Sequence, residues 1–178
     1  MARKPSTSDL DAVKDSVHVF ARFRPPNAME RVAAAEGRST TCSNISADGK
    51  SVVIKTGGDD GELAFHFDQV MSDCSQSDVY AAVGAPLIAS TFAGFNTTLF
   101  AYGQTGSGKT HTMYGPDNPS ADDVGVAPRA NHHLFSLIAA DTSGSQFLIQ
   151  CSYIEIYREH LRDLLQVCTA PRRGRVRR

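Results

Sequence analysis

The sequence lacks any segment that would span a membrane or direct secretion. No stretch approaches the roughly 18 consecutive apolar residues that a transmembrane helix needs, and the N-terminus has no apolar core of the secretory-signal kind. The 14 glycines follow no G-x-y repeat, which excludes a collagen-like chain. With 178 residues, 41% of them hydrophobic and 21% charged, the composition predicts one ordinary soluble globular domain.

Cysteines are few and widely spaced. They stand at positions 42, 74, 151 and 168, with no C-x-x-C pair among them. This spacing favours neither a zinc site nor a disulfide framework. We therefore expect free thiols in a reducing cytosol.

The formal net charge is only −1, but it is unevenly distributed. Five of the 18 basic residues lie in the last seven positions, and without them the formal charge would be −6. The rest of the chain is mildly acidic, so no nucleic-acid partner is expected. We interpret the arginine-rich end, residues 172–178, as a solvated, non-native end. The alternative is a basic arm that binds an acidic surface or nucleic acid by counterion release.

Strand and helix patterns alternate along the chain, which predicts an α/β fold. A capping pattern at Ser75 and Asp78 and apolar residues at helical spacing predict a helix that ends at Gly94 and is kinked or interrupted at Pro86. Residues 27–50 give no clear pattern. Strands are predicted at 17–23, 51–55, 63–68, 97–102 and 146–157, of which the second and third suggest a hairpin, and further helices at 127–140 and 158–165.

The main functional motif is GQTGSGKT at residues 103–110, which matches G-x-x-x-x-G-K-[ST]. Glycines let such a loop turn tightly, so that its backbone N–H groups point at phosphates. Lys109 would reach the β- and γ-phosphates, and the Thr110 hydroxyl would coordinate Mg²⁺. The apolar run at 97–102 is the buried strand that such a loop follows. The alternative is a glycine-rich turn with an exposed lysine.

The residues alone supply no convincing partner for hydrolysis. An acidic Mg²⁺ ligand at the end of a hydrophobic strand normally accompanies such a loop. D-x-x-G strings occur at 122–125 and 141–144, but the first lies in a polar loop. The second follows a helical pattern, so Asp141 is interpreted as a helix end. The residues therefore predict nucleoside triphosphate binding without a clear hydrolytic site.

Residues 100–113, with the sequence FAYGQTGSGKTHTM, resemble the P-loop signature of kinesin motor domains, which is far more specific than the general motif. Four further blocks resemble kinesin segments in the same order along the chain. They are RFRP at 22–25, FDQV at 67–70 with VY at 79–80, GVAPR at 125–129 and YIEIYREHLRDLL at 153–165. The resemblance covers residues 16–165.

The resemblance implies a P-loop NTPase-type central β-sheet flanked by helices, in a motor that moves along microtubules. It further implies ATP and Mg²⁺ as cofactors, the microtubule as partner, no membrane, and a cytoplasmic, cytoskeletal location. In kinesins the RFRP motif and the histidine after the P-loop threonine flank the adenine, where guanidinium and imidazole groups can stack on the ring. The implied nucleotide contacts are Gly103, Gln104, Thr105, Gly106, Ser107, Gly108, Lys109, Thr110, His111, Arg22, Arg24 and Pro25, with Thr110 as the metal ligand.

Two kinesin blocks, switch I and switch II, do not occur in this sequence. Both belong after the YIEIY block, so the resemblance implies the first half of a motor domain. The predicted organisation is a disordered lead-in at 1–15, a partial motor domain at 16–165 and a basic tail at 166–178. The strand at 97–102 would lose both of its neighbours, so we expect a poorly stable chain.

Two functions stay open at this point. The chain is either the nucleotide-binding half of an ATP-hydrolysing motor, or a non-catalytic module that binds a nucleotide or a partner without turnover.

Overall fold

The computed structural model describes residues 17–36, 43–55 and 61–166. The predicted lead-in and all but the first residue of the predicted tail lie outside these residues. In chain order the elements are β1 (Phe20–Phe23), α1 (Ala28–Ala35), β2 (Ser43–Ile45), β3 (Ser51–Lys55), β4 (Glu62–His66), β5 (Gln69–Ser72), α2 (Gln76–Val79), a π-helical turn (Tyr80–Gly84), α3 (Ala85–Phe92), α4 (Lys109–Tyr114), α5 (Val126–Ala140), β6 (Ile154–Tyr157) and β7 (His160–Asp163). The chain divides into two compact units, residues 1–137 and 138–178.

The described strands of the first unit form two small sheets. β1 pairs in parallel with β5, from Phe20 opposite Gln69 to Phe23 opposite Ser72. β2, β3 and β4 form an antiparallel meander in which Val52 lies opposite Phe65. The β-branched run of β3 and the alternating pattern of β4 therefore pair as the predicted hairpin.

Helix α1 occupies part of the region for which the sequence gave no clear prediction. It begins after Asn27, whose side chain accepts from the Glu30 N–H, while the Glu30 carboxylate accepts from the Asn27 N–H. This reciprocal capping box satisfies two of the donors that a helix start leaves unpaired. The N-x-x-E spacing directly after the two prolines was the available signal.

The helix predicted after Ser75 is present and changes its winding before Pro86. The Ser75 side chain accepts from the Asp78 N–H, as the capping pattern predicted. The π-helical turn then ends with the Ala85 N–H donating to the Tyr80 carbonyl. Proline has no N–H to donate, so Pro86 leaves one hydrogen bond of the helix unmade. The wider π-helical turn just before Pro86 accommodates this missing bond. The expected interruption at Pro86 is therefore confirmed, as a change in the winding of the helix.

The hydrophobic core of the first unit joins a strand to two helices. Met71, Val79 and Val126 are buried together, and Phe20 and Leu99 pack against them. Leu99 belongs to the segment that leads into the glycine loop, so this segment is packed on the core. No helix in the described part of the chain is long and apolar enough to cross a membrane.

The strand predicted at residues 97–102 has no ladder partner among the described residues. Its side chains nevertheless alternate as in a strand: Leu99 is half-buried, whereas Phe100 and Tyr102 are 81% and 90% exposed. Their rings stack on each other, with centroids 6.4 Å apart. The apolar run is typical of a strand, but a strand forms a ladder only where a neighbouring strand supplies the hydrogen-bond partners.

The second unit contains a β-hairpin where a helix was predicted for residues 158–165. β6 and β7 are antiparallel, with Ile156 opposite Leu161. Arg158 and Glu159 form the two-residue turn between them, both at positive φ, as in the type I′ turns that match strand twist. The spacing of the leucines favoured a helix, but residues 160–163 pair with β6 as a strand instead.

Only the last four residues of the strand predicted at 146–157 form a ladder, as β6. The preceding residues are exposed, including Leu148 at 87%. Helix α5 matches the prediction at 127–140, and Asp141 follows its last residue directly, which confirms the interpretation of Asp141 as a helix end.

Candidate phosphate-binding site

The glycine loop connects the segment at 97–102 to helix α4. Gly106 and Gly108 have φ of 80° and 98°, a left-handed conformation that glycine adopts at no steric cost. A hydrogen bond of 3.1 Å from the Ser107 N–H to the Gln104 carbonyl closes a turn over residues 104–107. The motif therefore folds into a tight loop that leads straight into a helix start.

Lys109 directs its amine back onto this loop. Its Nζ donates to the carbonyls of Gly103 and Gln104, at 2.8 and 2.9 Å. The positive charge is thus held against the backbone that would receive phosphates. Thr110, the next residue, lies exposed in the first turn of α4, so its hydroxyl is free to meet a metal ion beside the loop. The amine, the hydroxyl and the loop conformation fit a Mg²⁺-bound nucleotide.

Arg24 joins the glycine loop to α1. Its Nε donates to the Gly106 carbonyl at 3.1 Å, and its terminal nitrogens donate to both Glu30 carboxylate oxygens, at 2.7 and 2.6 Å. The Arg24 guanidinium and the Asn27 N–H lower the pKa of Glu30 to about 2. Pro25 contributes its carbonyl, which accepts from Arg24 at 3.0 Å. One of the implied base contacts, Arg24, therefore bonds directly to the loop, and Pro25 is joined to it through Arg24.

Arg22 and His111 are brought together through a residue that sequence reasoning missed, Gln76. Arg22 donates to Gln76 Oε1 at 2.8 Å and to Thr112 Oγ1 at 2.9 Å. Gln76 Nε2 donates to the His111 carbonyl at 2.6 Å and lies 3.4 Å from His111 Nδ1. In the sequence, Gln76 is only the residue after a helix cap, so nothing indicated this role.

A short loop, residues 115–125, follows α4 and is pinned at both ends. The Gly125 N–H donates to the Tyr114 carbonyl at 3.1 Å. Arg129, from α5, donates to the carbonyls of Ala121, Asp122 and Val124. The first D-x-x-G string therefore lies in a loop held by an arginine, as its polar surroundings predicted, and not at a strand end.

The glycine loop, its lysine and the helix after it define a P-loop protein. A family model described as the kinesin motor domain matches residues 22–177, and the chain belongs to this family. The matched range also includes most of the segment predicted as a basic tail.

Individual relatives agree with the family match. The chain is 41% identical over 164 residues to the human kinesin-like protein KIF15, and 41% identical over 153 residues to kinesin-related protein 3 of Dictyostelium discoideum. These alignments cover 88% and 84% of this chain but 12% of each relative. The chain thus spans about an eighth of the length of these relatives.

A solved structure of a fast kinesin has the same fold. Its TM-score with this chain is 0.74 at 33% identity, over 84% of this chain and 40% of the solved one. That structure was described for its ATPase mechanism and its interactions with microtubules. The P-loop NTPase-type fold implied by the resemblance is confirmed, for the part of the domain that this chain covers.

Proposed function

We propose that this chain binds Mg-ATP at the glycine loop. The observation that carries the proposal is the placement of the Lys109 amine, 2.8 Å from the Gly103 carbonyl, inside a loop shaped by left-handed glycines. A cation in that position, together with backbone N–H groups, is the arrangement that receives the β- and γ-phosphates in P-loop proteins.

Each group near the loop has a distinct part in this proposal. Lys109 neutralises phosphate charge, and the Thr110 hydroxyl holds the metal. The Mg²⁺ that Thr110 would hold would supply positive charge beside the phosphates. Arg22, Arg24, Pro25 and His111 are proposed as the base end of the site, where the two guanidinium groups and the imidazole flank the adenine. Arg24 also keeps the loop against α1.

The metal dependence of binding tests this assignment. Equilibrium dialysis with ATP, in excess Mg²⁺ and in excess EDTA, should show tighter binding with the metal. In Thr110→Ala we expect the gain from Mg²⁺ to disappear while metal-free binding persists, because the hydroxyl acts only through the ion. Ser120→Ala, in the exposed loop after α4, should keep the gain. ATP binding that Mg²⁺ does not strengthen in the parent chain would contradict the proposal.

In the whole motor, we propose that this site powers movement along microtubules in the cytoplasm. The support is membership of the kinesin motor domain family. These 178 residues lack the switch blocks that position water and stabilise transition-state charge. We therefore propose that they bind nucleotide without turning it over.

Phosphate release with and without microtubules separates this proposal from a working motor. We expect no release above a Lys109→Ala control in either condition. Microtubule-stimulated release by this chain would establish the motor alternative. A partner-binding role without nucleotide would instead give microtubule co-sedimentation that ATP and Lys109→Ala leave unchanged.

A further inference from the structure

Gln76 is a buried polar residue, 4% exposed, with both ends of its amide engaged. Oε1 accepts from the Arg22 guanidinium at 2.8 Å, while Nε2 donates to the carbonyls of His111 and Asp123, at 2.6 and 3.2 Å. The neighbours fix the amide orientation, because a guanidinium only donates and a carbonyl only accepts.

This one side chain connects three elements around the candidate nucleotide site. Through Arg22 it reaches β1, through the His111 carbonyl it reaches α4, and through Asp123 it reaches the loop after α4. Its own backbone begins α2, one turn before the core residue Val79. The backbone of Gln76 is thus held near the core, and its side chain connects β1, α4 and the loop after α4 to α2 by hydrogen bonds.

Helix α4 needs such an anchor because it has only six residues. An isolated helix of this length is not stable in water. The His111 carbonyl lies in its middle and accepts from the Gly115 N–H at 2.9 Å as well as from Gln76. Together with the approach of Gln76 Nε2 to within 3.4 Å of His111 Nδ1, this hydrogen bond holds His111 in place, whereas the Lys109 amine is held by the loop carbonyls of Gly103 and Gln104.

We propose that Gln76 is a positioning residue for the base end of the nucleotide site. It sets the placement of Arg22 and His111 relative to the glycine loop, and so controls how tightly the base is held. The phosphate end depends on Lys109 and the loop backbone, which Gln76 does not contact. This proposal rests on the proposed function, since it assigns the base to Arg22 and His111.

The test compares two ligands, Mg-ATP and Mg-tripolyphosphate, which share the phosphates but not the base. In Gln76→Met, which keeps the length of the side chain and removes its hydrogen bonds, we expect the dissociation constant for Mg-ATP to rise about tenfold. The constant for Mg-tripolyphosphate should change by less than about threefold. The matched control is Gln69→Met, an exposed glutamine of β5, which should change neither.

Each result decides between a positioning role and a structural one. Equal weakening of both ligands would show that Gln76 supports folding alone, and unchanged Mg-ATP binding would show that its amide is dispensable; either overturns the proposal. If Gln76→Met precipitates, Gln76→Glu replaces it. This variant keeps the contact with Arg22 but turns an oxygen toward the His111 carbonyl, so the same selective loss is expected.

Failure of the proposed function gives a different pattern. If the parent chain binds neither ligand, the nucleotide site itself is contradicted, and the role of Gln76 falls with it. If the parent chain binds Mg-tripolyphosphate as tightly as Mg-ATP, the phosphate site stands and the base-end assignment is overturned.

Discussion

At the scale of single residues, the candidate site depends on side chains that hold backbone in place. Arg24 and Gln76 donate to carbonyls of the glycine loop and of α4, at 3.1 and 2.6 Å. Such hydrogen bonds are individually modest, but leaving a buried partner unsatisfied costs more than the bond contributes. We therefore expect substitutions at these positions to weaken ligand binding, because they release the backbone that these side chains hold.

The Arg24–Glu30 ion pair should make the stability of the chain depend on pH. Because the pKa of Glu30 is lowered to about 2 in the folded chain, its stabilising contribution is fully present above the ordinary glutamate pKa. It declines as the pH falls from about 4.5 toward 2. Carbon-detected NMR of the Glu30 carboxyl should give a midpoint near 2, which Arg24→Met should raise toward 4.5. A midpoint near 4.5 in the parent chain would show that the pair is not formed.

Gly125 packs against the backbone of α4 so closely that a larger residue should not fit. A Cβ at this position would lie 2.5 Å from the Met113 carbonyl carbon and the Tyr114 nitrogen. Both are backbone atoms, so no side chain can move aside, and Gly125→Ala must displace the loop from α4. We expect a loss of about 1–3 kcal/mol in the free energy of unfolding, measured by urea denaturation at low concentration. Ala121→Ser, in the same loop, should have little effect on the free energy of unfolding. If Gly125→Ala lowers it as little as Ala121→Ser does, Gly125 is not packed against the backbone of α4.

At the scale of elements, short helices are fixed by their caps. Ser75 and Asp78 form a reciprocal capping box at the start of α2, which also places Gln76 in its first turn. Losing the cap should loosen both the helix and the network around the candidate site.

Ser75→Ala should therefore lower the free energy of unfolding by about 1 kcal/mol. The measurement is loss of helical circular dichroism against urea. Ser77→Ala, two residues along and exposed, is the matched control and should be neutral or slightly stabilising, because alanine is the better helix former. If the two variants behave alike, the cap does not support this helix.

The elements also show how far the sequence could predict the fold and the site. Local signals such as the Ser75 cap and the β-branched run of β3 were sufficient for α2 and β3. The leucines of 158–165 suggested a helix because the local spacing cannot show pairing with β6. The glycine loop was predictable from its motif, whereas the role of Gln76 depends on contacts with Arg22 and His111, 54 and 35 positions away.

At the scale of the whole molecule, extended apolar segments stay exposed. Phe100 and Tyr102 precede the glycine loop, and Leu148 precedes the β-hairpin; all three are at least 81% exposed. Apolar segments with unpaired backbone favour association with other chains.

We therefore expect this chain to aggregate at concentrations on the order of 100 µM. Light scattering against concentration measures this, and Leu148→Lys should raise the threshold by placing a charge in the exposed run. Ala139→Lys, which adds the same charge at an exposed helix position, should raise it less. A parent chain that stays monomeric throughout would contradict this expectation.

The most direct test of the central claim is titration of the chain, at low micromolar concentration, with a fluorescent ATP analogue and Mg²⁺. We predict saturable binding that Lys109→Ala abolishes and that Lys50→Ala, at an exposed lysine outside the loop, leaves intact. Binding that survives in Lys109→Ala, or no binding by the parent chain, would contradict a phosphate site at residues 103–110.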